Sequence, residues 1–537
     1  MQLIKNNTFK NGLLYGSLFV IYYVIWFIPR ISPIQENVLM LDDFFQKPVG
    51  HLYSFRPLLF AELGFWNSMF GKGYLTSATP KLLAGVYLSF ISLVTVALLR
   101  RWGVSLLIAS LIPIFYISHP IINEFSLWNI LVSCNLSILL ILLGYYVMED
   151  ASSPRRIILG VIFMTLGISG YQIHVGLLPV LFIGELAIKR AALVRYPVKD
   201  AAKKMVFLGM VLMLYLAYVI ISRLYISMHM TDLPDKRWLF SLMDITNPSL
   251  INAKWHCMSN MYVNLFQPLI SYYFSVKTSW HAWKWIPFAA ALAIGIGGLA
   301  CRRSIREVLS LSTVPFILPG TATIVMLPLD TSMTNWRILA PTLYGFCLSL
   351  VLGFSLIEMS IINAAKGRIL RGVVFIRILL ICGVGALWLL ISFPVIECDS
   401  SLRVVARKSE LRVLQGIENF WKVKDLQKTR YKVALYPPYG VPPTKDNTAY
   451  ADKKGIVISY NLIGPDYYTT VTSNIWEMYL KYCGFQPYII NPFESYKLIF
   501  LKACGNNGHD NSSSQSALTA VHIEPLRISV ICRDGFL

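Results

Sequence analysis

Apolar residues gather into eleven runs separated by polar connections, approximately at 11–29, 81–99, 104–118, 128–148, 157–170, 172–188, 205–222, 285–301, 308–327, 338–358 and 373–396. Most approach the roughly 20 residues that an α-helix needs to cross about 30 Å of hydrocarbon. The pattern therefore predicts an all-α polytopic membrane protein with about eleven transmembrane helices. Runs five and six almost merge across "GISGYQIHVG", where glycines and a polar triplet predict a tight re-entry. The first run is too long for a signal peptide and lacks a small-residue cleavage site before "PRISPI", so it reads as an uncleaved first helix.

The polar connections are not alike. Lys and Arg crowd alternate ones: "RRWG" at 100–103, "SSPRR" at 152–156, "KRAALVRYPVKDAAKK" at 189–204, "CRRSIR" at 301–306 and "KGRILRG" at 366–372, together with Lys5 and Lys10 at the N-terminus. Basic residues are retained on the cytoplasmic side, which places these loops and the N-terminus inside. An odd number of spans then leaves the C-terminus outside. The exported segments are 30–80, 223–284 and the tail from Glu397.

That tail changes character, and the chain divides into a transmembrane domain, 1–396, and a small α/β domain, 397–537. "SSLRVVARKSELRVLQGIENFWKVKDLQ" has helical spacing of apolar residues. "RYKVALYPP" predicts a strand, "TSNIWEMYLKYCG" a helix closed by Gly484, and "LRISVICRDG" a terminal strand. Four cysteines, Cys398, Cys483, Cys504 and Cys532, fall in this exported tail, where one or two disulfides fit an oxidising compartment.

Composition agrees with the patterning: 55% of residues are hydrophobic and only 14% charged. The formal charge of +20 lies largely in the cytoplasmic loops. Anionic lipid headgroups account for it, and nucleic acid is not an expected partner.

The candidate chemistry lies on the exported side. Asp42 and Asp43 stand together in "LMLDDFFQKP" about a dozen residues beyond the first run, and Arg56 follows in "FRPL". Adjacent side chains point different ways, so one aspartate can face a ligand while the other holds the loop. A carboxylate beside Phe44 and Phe45 feels a lowered dielectric, which raises its pKa toward general-base work. An acid pair capping a juxtamembrane helix is the plainer alternative. Three further connections share this face: "SHPIINEFSLWN" with His119, Asn123, Glu124 and Trp128; Tyr171, Gln172 and His174; and "LDTSMTNWRILAP" with Asp330, Asn335 and Arg337. Arg56 and Arg337 can clamp a phosphate through their planar forks or snorkel to headgroups. No cysteine–histidine spacing matches a metal site, so no cofactor is expected, although a divalent metal stays open.

The order "DDFF", "FRPL", "GYQ", "NWRILAP", followed by an exported domain ending in "ISVIC", resembles the integral-membrane glucosyltransferases that modify bacterial O-antigen. These are serotype-converting enzymes similar to membrane glycosyltransferases of the GT-C architecture. The resemblance implies a bacterial inner-membrane enzyme that moves glucose from a polyprenyl-phosphate carrier to O-antigen polysaccharide at the periplasmic face. Asp42 or Asp43 would be the base, with Glu124 in the catalytic set, and Arg56, Tyr171, Gln172, Asn335 and Arg337 would bind substrate. The alternatives are an O-antigen polymerase or other glycan-modifying enzyme, and a lipid-linked sugar transporter or flippase. A transporter would place ionisable residues at mid-span, whereas these polar residues cluster at one surface.

Overall fold

The computed structural model describes residues 2–36, 57–71, 74, 77–127, 129, 132–149, 153–194, 197–229, 252, 265–266, 269, 286–301, 303–324, 339–364, 375, 378–401 and 404, together with five strands of the tail. A helix occupies each apolar run. They are α1 (Gln2–Phe27), which continues through a 3-10 turn at Ile28–Arg30 into a short turn of helix at Ile31–Gln35, α2 (Pro57–Phe70), α3 (Thr79–Arg101), α4 (Leu106–Ile117), α5 (Asn123–Ser126), α6 (Ser133–Glu149), α7 (Pro154–Gly170), α8 (Leu177–Ala191), α9 (Val198–His229), α10 (Ile286–Ala300), α11 (Ile305–Ser312), α12 (Val314–Ile324), α13 (Leu339–Ala364) and α14 (Ile378–Ser401).

Among the described residues, five segments are long and apolar enough to cross a bilayer: Gly12–Gln35, Thr79–Arg101, Val198–Tyr218, Leu339–Ile361 and Ile378–Ser401. Leu106–Ile117, Ser133–Glu149 and Ala289–Ala300 are shorter apolar helices. The protein is thus a helical membrane protein. Its outer surface agrees: Val20, Ile158, Met213, Ile220, Leu292, Ile296 and Leu390 are all exposed, an apolar belt that a water-soluble monomer would not leave uncovered. The long segments differ in position. The window in Leu339–Ile361 is 78% buried, against 17% for the first helix and 22% for Val198–Tyr218 and Ile378–Ser401. α13 is therefore the central post, and α1, α9 and α14 lie at the periphery.

One expected span is divided. The run at 308–327 forms two helices, α11 and α12, with Thr313 between them. Ser304 Oγ caps α11 by accepting from the Glu307 amide at 3.3 Å. Pro315 has no N–H to continue the ladder across the break. The described helix of the fourth run begins at Ser133, and Asn129 before it is buried.

Close packing within lipid needs small residues at the crossings, since water no longer drives helices together. α6 and α7 meet at Gly144 and Gly160: a Cβ on Gly144 would lie 2.6 Å from the Gly160 carbonyl oxygen, and one on Gly160 2.8 Å from that of Gly144. The two backbones touch there.

Several basic connections converge at one end of the bundle. A Cβ on Gly103 would meet Val194 at 2.9 Å, Arg101 donates to the Tyr146 carbonyl at 2.9 Å, and Arg303 donates to the Ala191 carbonyl. Beneath them lies a buried ionic cluster. Glu185 accepts from Lys189 at 2.7 Å and from Lys204 at 2.5 and 2.6 Å, Tyr145 Oη donates to it at 2.5 Å, and Lys189 also pairs with Glu149 at 2.8 Å. Two acids and two lysines tie α6, α8 and the start of α9 together with no net charge.

The tail contributes β1 (Tyr431–Tyr436), β2 (Gln486–Ile489), β3 (Lys497–Lys502), β4 (Thr519–Ala520) and β5 (Ile528–Ile531). They form one mixed sheet in the order β2-β1-β3-β5-β4. β1 runs parallel to β2 and antiparallel to β3, β3 parallel to β5, and β4 antiparallel to β5. Parallel neighbours require long crossovers, and the segments between β1 and β2 and between β3 and β5 supply them. β1 and β5 lie where alternation predicts strands, whereas the tail helices expected from the sequence fall largely outside the described residues.

Candidate functional site

The end of the bundle away from the basic connections holds a layer of buried polar side chains. Its centre is the connection 118–135, which turns inward instead of running over the surface. His119 caps the 3-10 turn Pro120–Ile122, with Nδ1 accepting from the Ile121 amide at 3.3 Å. α5 follows, and Asn135 Nδ2 donates to the Phe125 carbonyl at 3.0 Å to close the loop.

Three groups radiate from it. The first joins the two ends of the helical chain. Arg30, fully buried at the end of the first helix, donates from Nε to Asn123 Oδ1 at 2.6 Å, and to the carbonyls of Trp26 at 2.8 Å and Ile117 at 3.3 Å. Asn123 Nδ2 in turn donates to Asp399 Oδ2 at 2.6 Å, at the end of α14. The amide thus carries a hydrogen-bonded path from a buried cation to a buried acid. Beside it, the His119 ring stacks on Trp388 at 6.0 Å. His119 Nε2 has no hydrogen-bond partner among the described residues. Burial pushes the imidazole pKa down to about 3, so the ring is neutral and, with Nδ1 accepting, its proton sits on Nε2.

The second group is a corner between α7 and α8. Tyr171 is buried and extended, at φ −151° and ψ 107°. Its ring lies 5.1 Å from His174 and 6.5 Å from Phe125, and Ser137 Oγ and His174 Nδ1 are 2.8 Å apart. Gly170 permits the turn: a Cβ there would lie 2.9 Å from Leu58 and 3.1 Å from Ser137. The start of α2 is thereby packed against the Tyr171 corner.

The third group lies between α2, α3 and α6. Glu62 Oε1 accepts from Tyr87 Oη at 2.6 Å and from Trp66 Nε1 at 3.1 Å. Burial raises the Glu62 pKa, while hydrogen bonding from Tyr87, Ser133 and Trp66 pulls it the other way and loses. Nearby, fully buried Lys81 donates to Asn129 Oδ1 at 2.8 Å, and Asn129 Nδ2 donates to the Ser77 carbonyl at 3.0 Å.

Among the residues singled out from sequence, Tyr171 is in this layer, and the connections that carry Glu124 and Gln172 meet through Phe125, Tyr171 and His174. Glu124 lies on α5 and Gln172 opens the 3-10 turn Gln172–Gly176, but their side chains lie outside the described residues. So do Asp42, Asp43, Arg56, Asn335 and Arg337 entirely. Among the described residues, no group of three or more His, Cys, Asp or Glu could hold a metal ion.

Reading the sequence alone missed Arg30, Lys81 and Asp399 as partners. The available signal was position: Arg30 and Asp399 stand just beyond the first and last apolar runs, and Lys81 opens the second. Charges at such places ordinarily reach toward headgroups, and only the fold turns these inward.

This end of the molecule offers neutral and charged hydrogen-bond donors, oriented carboxyl groups and aromatic faces contributed by segments hundreds of residues apart. Such a mixture suits a ligand rich in hydroxyl or phosphate groups. No protein-family model and no curated protein matches the chain.

Proposed function

We propose that the chain is a membrane glycosyltransferase of the GT-C type, moving a glucosyl group from polyprenyl-phosphate-glucose to O-antigen polysaccharide. In this reading eleven helices cross a bacterial inner membrane, with the N-terminus cytoplasmic and residues 397–537 forming a periplasmic α/β domain. The observation that carries it is the buried polar layer, drawn from α1, α2, α3, the 118–135 connection, the Tyr171 corner and α14, at the end opposite the basic connections. A through-membrane transporter needs its ionisable residues along a path near the midplane. Here Arg30, Glu62, Lys81 and Asp399 keep to one end.

The chemistry follows from the residues expected at that end. Asp42 or Asp43 takes the proton from an acceptor hydroxyl as its oxygen bonds to the anomeric carbon. The bond from that carbon to the phosphate oxygen breaks, the configuration inverts, and polyprenyl phosphate departs with the electron pair. Arg56 and Arg337 stabilise the charge developing on the leaving phosphate, a role that requires no metal. Glu124, Tyr171, Gln172 and Asn335 hold sugar hydroxyls in line for attack. Purified protein given polyprenyl-phosphoglucose and O-antigen polysaccharide is expected to transfer glucose. Asp42→Asn or Asp43→Asn is expected to lower kcat by about a hundredfold or more while the protein still folds. Full activity in both single variants and in the double variant would remove the carboxylate from the mechanism.

A further inference from the structure

The Glu62 group has features that packing alone does not call for. Trp66, Phe70 and Tyr74 present rings whose planes lie within 24° of one another, with centroids 5.6–6.2 Å apart. Phe70 is exposed, Trp66 half-buried and Tyr74 buried beneath. They form one aromatic cluster of the last turns of α2 and Tyr74. At its inner edge Glu62 is only 7% exposed. The carboxyl is held in orientation because Trp66 and Tyr87 both donate to Oε1 and the Ser133 hydroxyl also interacts with it, while Oε2 makes no well-formed hydrogen bond among the described residues.

From this juxtaposition we propose a sugar-binding subsite: a hexopyranose ring of the acceptor glycan stacks on Trp66 and Phe70 and hydrogen-bonds through a hydroxyl to Glu62 Oε2. A pyranose has a face of C–H groups and a rim of hydroxyls. The C–H face matches the electron-rich face of an aromatic ring, and the rim matches a fixed carboxyl oxygen, which accepts when ionised and donates when protonated. A lipid tail would use the rings and gain nothing from the acid, whose second oxygen has room in its valence for a further hydrogen bond. The subsite rests on the glycosyltransferase reading for the source of its sugar, and its geometry stands apart from the transfer chemistry.

The test uses the full chain in lipid nanodiscs and saturation-transfer NMR with methyl glycosides of glucose, galactose, mannose, rhamnose and N-acetylglucosamine, with no donor present. At least one glycoside is expected to bind. Trp66→Leu is expected to weaken it about tenfold, whereas Trp66→Phe, which keeps a ring face, stays within about threefold. Glu62→Ala is expected to weaken binding about tenfold, and Glu62→Gln, which keeps a hydrogen-bonding group in place, by less. Phe70→Leu changes an exposed residue and reads the same face if Trp66→Leu fails to fold. Absence of binding by every glycoside, or unchanged binding in both Phe70→Leu and Glu62→Ala, overturns the subsite. Glycoside binding without glucosyl transfer would sink the transferase reading and leave the subsite, and transfer without binding would do the reverse.

Discussion

Glu185 is the place where the helix bundle stakes most on one side chain. Its carboxylate is fully buried and takes three short contacts from Lys189 and Lys204 and one from Tyr145. Glu185→Gln preserves volume and the bond from Tyr145 but removes the charge facing Lys204, whose side chain is 8% exposed. The Lys204 contact of 2.5 Å corresponds to about 7 kcal/mol of attraction at an effective dielectric constant of about 20. Desolvation of each ion, several kcal/mol, opposes it. Losing one partner forfeits the attraction and leaves the desolvation in place, so the expected loss is about 3–5 kcal/mol. The double variant Glu185→Gln/Lys204→Met removes one charge of each sign and leaves the Glu149–Lys189 pair at 2.8 Å. It is expected to recover to within about 1–2 kcal/mol of the unaltered protein, because the remaining cluster is again neutral. The assay is the fraction of detergent-solubilised protein that stays monodisperse by size-exclusion chromatography after a series of heating steps. Added salt should change the difference little, since a buried pair is poorly screened. Equal stability of Glu185→Gln and the unaltered protein, or a double variant no better than the single one, would refute this account of the cluster.

Two further predictions concern the opposite end. His119 has a folded-state pKa of about 3 against an ordinary value of 6.5, so the unfolded chain binds the additional proton between those values. Stability is fully present above pH 6.5 and is lost as pH falls toward 3, by at most about 1.4 kcal/mol per pH unit; His119→Phe should flatten the acid limb of the melting-temperature profile, and an unchanged limb would contradict a neutral buried ring. Asn123→Leu removes the hydrogen bonds that the amide makes to Arg30 and Asp399 and is expected to cost about 1.5–3 kcal/mol, the worth of a hydrogen bond to a charged group; a thermal midpoint matching the unaltered protein would show that the amide is dispensable.

The apolar runs were legible because helix formation within a bilayer is a local requirement. Every backbone group must be satisfied inside its own segment, so length and hydropathy suffice to mark the helices. The division of the run at 308–327 was not legible, because its continuous hydrophobicity reads as a single span and conceals the break at Thr313. β1 and β5 followed from alternation with apolar and β-branched residues. The inward turn of "SHPIINEFSLWN" did not follow. Its polarity reads as a surface loop, and its burial depends on partners supplied by Arg30, Lys81, Tyr171 and Asp399.

Sequence by itself therefore determined the class of protein, the position of nearly every helix, and which connections carry the excess of basic residues, because each is a property of a short stretch of chain. Tertiary structure decided which charges meet. Helical spacing puts Lys189 beside Glu185 and Trp66 beside Glu62, four residues apart, but nothing in the spacing brings Arg30 and Asp399 to Asn123, Lys204 to Glu185 or Tyr87 to Glu62. The physical reason is that a buried polar group is tolerable only with a partner, and packing chooses that partner from helices far apart in sequence.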